Sequence, residues 1–113
     1  MKKIEAVIRP DSLDQVLGAL EQAGHPGIMV TEIEGHGRQK GVTQQWRGQE
    51  YKVDLLPKVK LEVVVTDKEA NEIVNTISKV AKTGQIGDGK IFITDVDEAV
   101  RIRTGERGDS ALN

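Results

Sequence analysis

Cysteine is absent from the 113 residues, which removes disulfides, thiolate catalysis and thiolate metal sites together and fits a reducing cytoplasm. Aromatic residues are scarce: one Trp, one Tyr and one Phe are too few for the stacking platform that holds single-stranded nucleic acid. A basic excess is missing as well. Sixteen basic against eighteen acidic side chains leave a net charge of −2, which excludes a general nucleic-acid binder that works by neutralising phosphates. No apolar run approaches the ~18 residues of a membrane span, and the amino terminus has no signal-peptide core. With 37% hydrophobic and 30% charged residues the composition is that of a globular chain, and its length allows a single core. The expectation is one small, acidic, cytosolic domain.

Residues 2–9 alternate, with Ile4, Ala6 and Ile8 on one face and Glu5, Val7 and Arg9 on the other. This pattern predicts a strand stopped by Pro10. Ser12 with Gln15 matches a capping box, and Leu13, Val16, Leu17 and Leu20 follow at helical spacing until Gly24 and Pro26. A second strand is expected over residues 27–35. A third, rich in β-branched residues, is expected over 58–66. Thr66 with Glu69 forms another capping box, and Ala70, Ile73, Val74, Ile77 and Ala81 give a second helix its apolar stripe, with Gly84 beyond its end. Residues 90–96 read as a fourth strand, 97–104 as a helical turn running into a brief strand at 101–104, and 105–113 as a polar, mobile tail.

The order βαβ–βαβ, with halves that resemble each other, predicts an α+β, ferredoxin-like sandwich: a four-stranded antiparallel sheet with both helices on one face. Those helices should cover Ile4, Ile8, Leu61, Val63, Val65, Ile91 and Ile93. The opposite face carries Val7, Met29, Ile33, Val64, Phe92 and Val96 among Glu5, Arg9, Lys60 and Glu62. A half-apolar sheet face with no layer of its own calls for a partner chain, hence an oligomer.

Between the second and third strands, residues 37–57 show no clean periodicity, and loops beyond ~12–15 residues are usually functional or disordered. Gly37, Gly41 and Gly48 punctuate this one, and Arg38, Lys40, Arg47 and Lys52 outnumber Glu50 and Asp54. Trp46 and Tyr51 at its tip either anchor a partner or fold back on the base of the loop; spacing does not decide. Gly35, Gly37 and Gly41 beside Arg38 and Lys40 would let backbone amides approach an anion. The run 84–90 is either a second such nest or an Asp-Gly turn into the fourth strand. Arg101 and Arg103 share one side of an extended segment, as a phosphate grip or as a solvated basic edge. Catalysis is poorly supported: no carboxylate stands at a spacing that would orient His25 or His36, and neither is placed for a two-His metal site. Spacing alone supports binding of an anionic ligand and no more.

The ordered stretches M-K-K-I-E-A-V-I-R-P at 1–10, V-T-E-I-E-G-H-G-R-Q-K-G at 30–41, R-G-Q-E-Y-K-V-D-L-L-P-K-V-K-L-E-V-V-V at 47–65, T-G-Q-I-G-D-G-K-I-F at 83–92 and V-R-I-R-T-G-E at 100–106 together resemble the PII nitrogen-regulatory signal proteins. The resemblance runs from Met1 to about Leu112. It implies a single domain that assembles as a homotrimer and binds ATP or ADP competitively in the clefts between chains. Phosphates would rest on Gly87, Asp88, Gly89 and Lys90 and on Gly35, Gly37 and Arg38, with Arg101 and Arg103 of a neighbouring chain closing the site. Val7, Glu62 and Val64 would flank the adenine, near Met29, where relatives often carry Thr. With Mg-ATP, 2-oxoglutarate would join: Gln39 ligates the metal, Lys58 and Arg9 lie near the distal carboxylate, and Lys40 and Gly41 offer backbone amides.

What the resemblance implies in function is a non-catalytic reporter of energy and of carbon and nitrogen status, acting through its long loop. Its targets would be of the kind of an ammonium channel, a regulatory kinase, a biosynthetic enzyme or a nucleotidylyltransferase, with no nucleic acid and no membrane insertion of its own. Tyr51 matches the tip tyrosine that many relatives have modified. Trp46 replaces a frequent Tyr, and Gln49 stands where relatives carry Ala or a phosphorylatable Ser. Two other classes are weighed: a small ferredoxin-like enzyme acting on phosphorylated substrates, which would need a base or nucleophile with an orienting partner, and a ligand-independent trimeric adaptor.

Overall fold

The computed structural model describes residues 1–25, 27–36, 42–46, 49–53 and 55–112, with the side chains of His36 and of 42–53 outside the description. Among the described residues, six strands and two helices run in the order β1 (Lys2–Ile8), α1 (Leu13–Gln22), β2 (Met29–His36), β3 (Val42–Trp46), β4 (Gln49–Val53), β5 (Leu55–Val65), α2 (Asp67–Ala81) and β6 (Gly89–Asp95). β2, β5, β1 and β6 form one antiparallel sheet in that spatial order, while β3 and β4 form a separate two-stranded ribbon. β5 and β6 flank β1, and β5 separates β1 from β2, so each βαβ half is split by a strand of the other. This is the ferredoxin-like arrangement that the order of elements predicts.

Alternation decides which face the helices cover. Ile4, Ala6 and Ile8 of β1 and Val59, Leu61, Val63 and Val65 of β5 are buried with Val16 and Leu20 of α1 and Ala70, Ile73, Ile77 and Ala81 of α2. Leu13, Leu17, Ile28, Val74, Val80 and Ile91 pack around this cluster. Ile93 departs from expectation. It shares the helix-side parity of Ile91 yet is 49% exposed, because β6 is an edge strand. Val59 replaces it in the core. On the other face Val7, Ile33 and Val64 are half-buried, whereas Met29 and Phe92 are exposed, so among the described residues no layer covers this face. Among the described residues no helix is long and apolar enough to cross a membrane.

Local signals were partly overridden. Ser12 ends a 3-10 turn, Pro10–Ser12, and lies in the αR region without a side-chain cap bond, so its expected box with Gln15 does not form. At α2 the Thr66 hydroxyl donates to the Glu69 carboxylate (2.7 Å) and the Glu69 amide donates to the Thr66 carbonyl (3.1 Å). The pair is therefore joined, though not through the side-chain-to-amide cap. The stretch expected as an aperiodic loop contains the β3–β4 ribbon, and β5 begins at Leu55, three residues before the sequence pattern starts. Pro57 is tolerated there because β1 stops pairing at Val59, leaving β5 bonded only to β2. Residues 101–104 are not a strand. Val100 bridges Arg107 across a turn, and the tail contains a 3-10 segment, Gly108–Leu112.

Candidate functional site

The strand register brings most of the candidate residues onto the uncovered face. One row across the sheet reads Met29, Glu62, Glu5, Phe92, and the next reads Thr31, Lys60, Val7, Lys90. Val64 lies one row beyond the first, opposite Lys3. Gly35 and Lys58 lie on the same face towards the far end of β2 and β5. Val7, Met29, Glu62, Val64 and Lys90 thus share one surface, as alternate positions of four strands must. Their charges are already organised. Lys3 bridges Glu5 (2.8 Å) and Glu62 (3.7 Å), and Lys60 pairs with Glu62 (3.1 Å). The hydrogen bond to Glu5 raises the Lys3 ammonium pKa, and the same bond lowers that of the Glu5 carboxyl.

At the mouth of β6 the chain makes a tight loop over residues 83–89. Gly84, Gly87 and Gly89 have φ of +86°, +101° and +110°, a region open to glycine at little cost. A cation holds this loop from each flank. Arg9 donates through Nη2 to the Ile86 carbonyl (2.7 Å) and through Nε to Asp88 Oδ1 (3.4 Å). Lys58 Nζ donates to the Gly87 carbonyl (2.8 Å). Burial, and then the neighbouring Arg9 charge, lower the Lys58 pKa, with Asp88 opposing.

The Asp88 carboxylate faces back into the loop. Oδ2 accepts from the amides of Thr83 (2.8 Å) and Gly84 (2.9 Å), and Oδ1 accepts from the Thr83 hydroxyl and Arg9. Hydrogen bonding by Thr83, above all through its hydroxyl, holds the carboxyl well below the usual carboxylate range. The amides at the start of the run 84–90 are therefore satisfied by the protein's own anion, and only those nearer β6 are candidates for an outside one. On the helix side a cleft of about 280 Å³ is lined by Ile8, Val74, Ile77, Ala81 and Ile91 beside Asp88 and Gly89. Ser78, Lys82 and Lys90 line it as well.

Arg101 and Arg103 are not on an extended segment. They stand in the 100–107 turn, where Arg101 donates to Glu106 Oε1 (3.0 Å) and to the Ser110 carbonyl (3.1 Å), and Arg103 is exposed. Gly37, Arg38, Gln39, Lys40 and Gly41 lie outside the described residues, as do the side chains of Trp46 and Tyr51. The expectation that no carboxylate orients His25 is overturned: its Nε2 lies 3.3 Å from Glu69 Oε2. Helix packing, which spacing does not reveal, brings the C-terminal end of α1 to the first turn of α2. The Thr66 hydroxyl bonds Glu69 rather than the imidazole, so these three residues do not form the nucleophile–base pair of covalent catalysis. Sequence reasoning also missed Thr83; its signal is a hydroxyl residue opening a glycine-rich turn that closes on an aspartate.

The model of the family described as Nitrogen regulatory protein P-II matches residues 1–106. The chain is 57% identical over 112 residues to Nitrogen regulatory protein P-II 2 of Methanothermobacter thermautotrophicus, covering 99% of this chain and 97% of that one. It is 56% identical over 112 residues to Nitrogen regulatory protein P-II of Rhizobium meliloti and 55% identical over 112 residues to Nitrogen regulatory protein P-II 1 of Escherichia coli, with 99% of this chain and all of each relative covered. A match of this extent spans the sheet, the 83–89 loop and the 100–107 turn alike, and the chain belongs to the P-II family of nitrogen regulatory proteins.

Proposed function

We propose that the protein is a cytoplasmic, non-catalytic signal transducer, a homotrimer that binds ATP or ADP and, with Mg-ATP, 2-oxoglutarate, and that passes their occupancy to target proteins through residues 37–57. The observation that carries this reading is the convergence of Arg9 and Lys58 on the 86–88 backbone beside Val7, Lys90 and Glu62. A glycine-rich backbone with Lys90 suits polyphosphate, the adjoining Arg9 and Lys58 suit a carboxylate, and Glu62 supplies an acceptor for an exocyclic amine next to the aliphatic Val7 and Val64.

In this reading the phosphates lie on Gly87, Asp88, Gly89 and Lys90 with Gly35, Gly37 and Arg38, and Arg101 and Arg103 come from the neighbouring chain. The donor set fits a hard cation bound through oxygen: Gln39 offers a carbonyl, and the remaining ligands come from phosphate and keto acid. The chemistry a bound magnesium ion would supply is neutralisation of phosphate charge beside Gln39. Lys58 and Arg9 then face the distal carboxylate, and Lys40 and Gly41 offer amides. Because these positions adjoin the β3–β4 ribbon, occupancy would bias its conformation and so the choice of target. The half-apolar sheet face supports assembly.

Calorimetric titration with Mg-ATP, with and without 2-oxoglutarate, tests the reading. Nucleotide binding that becomes competent for the keto acid only with Mg-ATP is expected. A chain that binds Mg-ATP but never 2-oxoglutarate would lose the carbon-sensing half of the proposal, and one that binds no nucleotide would lose all of it.

A further inference from the structure

Asp88 sits in the loop assigned above to phosphates, and its carboxylate is turned towards Thr83. Its oxygens accept from the amides of Thr83 (2.8 Å) and Gly84 (2.9 Å) on Oδ2, and from the Thr83 hydroxyl and Arg9 Nε (3.4 Å) on Oδ1. The Thr83 oxygen in turn accepts the Gln85 amide (3.1 Å). One hydroxyl thus donates to the end of the loop and accepts from its beginning, which a side chain without a donor-acceptor oxygen cannot do.

We propose that Thr83 is a positioning residue for nucleotide binding, its hydroxyl acting through Asp88 to hold the 83–89 loop in the shape that presents the Gly87–Lys90 backbone to phosphate. The inference rests on the nucleotide reading given above. Its physical basis is entropy. Three residues of this loop, Gly84, Gly87 and Gly89, have positive φ, and glycine loses more freedom on ordering than any other residue. Ordering such a loop at the moment of binding costs conformational entropy that the affinity would have to absorb. The Thr83–Asp88 closure orders it beforehand. Thr83 itself is exposed and its hydroxyl is engaged in both directions, so its effect on affinity would pass through the loop rather than through contact with ligand.

ADP titration of the full chain, the Thr83→Val and Thr83→Ser variants, Asp88→Ala and the Thr83→Val/Asp88→Ala double variant tests this. Thr83→Val should bind ADP about tenfold more weakly, the equivalent of one ordering hydrogen bond, and Thr83→Ser should bind as the parent does. In the Asp88→Ala background Thr83→Val should cost nothing further, because the two act as one unit. Amide exchange of Gly84 and Gln85 in the unliganded chain reads the same coupling even if Asp88→Ala binds too weakly to titrate: Thr83→Val should accelerate it and Thr83→Ser should not. Parental affinity in Thr83→Val, a further loss in the double variant, or unchanged exchange overturns the positioning role. A parent chain that takes up no ADP overturns the nucleotide reading and this inference together, whereas a binding parent with an indifferent Thr83→Val overturns the inference alone.

Discussion

A Cβ built on Gly89 would stand 1.8 Å from the Val7 carbonyl oxygen and 2.9 Å from its carbonyl carbon. The obstruction is β1 backbone, which cannot swing aside as a side-chain tip could, and Gly89 also has φ +110°. Gly89→Ala should therefore destabilise the fold by about 2 kcal/mol or more, combining a clash with left-handed strain. Gly84 offers the control: its φ is +86°, but nothing lies within 4 Å of a Cβ there, so Gly84→Ala should cost only the left-handed strain, roughly 1–2 kcal/mol. Urea denaturation of the two variants checks the order, and equal midpoints would contradict the close approach of β6 to β1.

The contrast also shows what the sequence could reveal. The two βαβ halves, the helix-side core and the shared face of Val7, Met29, Glu62, Val64 and Lys90 follow from alternation and helical spacing, because those periods are properties of the backbone itself. The β3–β4 ribbon was missed because its pairing is between strands: Val42 faces Val53 and Trp46 faces Gln49, and neither strand alternates cleanly along the chain. The exposure of Ile93 was missed for a related reason, since parity tells which side a residue faces and not whether a helix reaches the edge. Arg101 was read as extended, but its two bonds to Glu106 and Ser110 belong to a turn closed by the Val100–Arg107 bridge. Those are contacts no local period encodes.

Core burial predicts a second outcome. Ile73 and Ile77 are essentially inaccessible at the centre of the helix–sheet interface, and truncating either leaves a cavity that strands on one side and a helix on the other cannot easily fill. Ile73→Ala should lower stability by roughly 2–5 kcal/mol. Equilibrium unfolding monitored by circular dichroism measures it, and a loss below about 1 kcal/mol would mean that the interface collapses around the gap.

Asp88 gives a pH signature. Its folded-state pKa is depressed, first by the Thr83 hydroxyl and then by the Thr83 amide, with burial opposing. A carboxyl group depressed in this way contributes stability above its unfolded pKa and loses that contribution as pH falls through the folded value. Carbon-detected NMR should accordingly show the Asp88 carboxylate still ionised at pH ~4, where free carboxyls are half protonated. Thr83→Val should move its midpoint up towards the ordinary range. A parent midpoint already in that range would contradict the inward hydrogen bonding of the carboxylate.

Arg101 and Arg103 should separate on substitution, although they are two residues apart. Arg101 ties its own turn to Glu106 and to the 108–112 segment, so Arg101→Ala should cost about 1 kcal/mol of stability. Arg103 is exposed, and Arg103→Ala should leave the melting temperature unchanged. If it reaches a phosphate in a neighbouring chain, the same variant should weaken ADP binding by about 2 kcal/mol, the value of a charge-assisted bond. Undiminished ADP affinity would remove Arg103 from the proposed cleft while leaving the fold as described.

The ribbon tests the division between scaffold and output. His36, the last residue of β2, pairs with Leu55, the first of β5, so the two strands already meet where residues 37–54 depart. β3 and β4 form a sheet of their own, and the core of the described residues is built by β1, β5, α1 and α2. Excising residues 42–53 leaves 37–41 and 54 to connect adjoining strand ends, and closure entropy changes only slowly with the length of a connection. The deletion variant should keep its oligomeric state, its melting temperature within a few degrees, and its affinity for ADP, while losing its regulatory targets. Sedimentation and calorimetry read the first three, and co-purification from cells under each nucleotide reads the last. A variant that falls apart into monomers would place part of the assembly surface in the ribbon, and one that still captures its targets would move the output surface elsewhere on the domain.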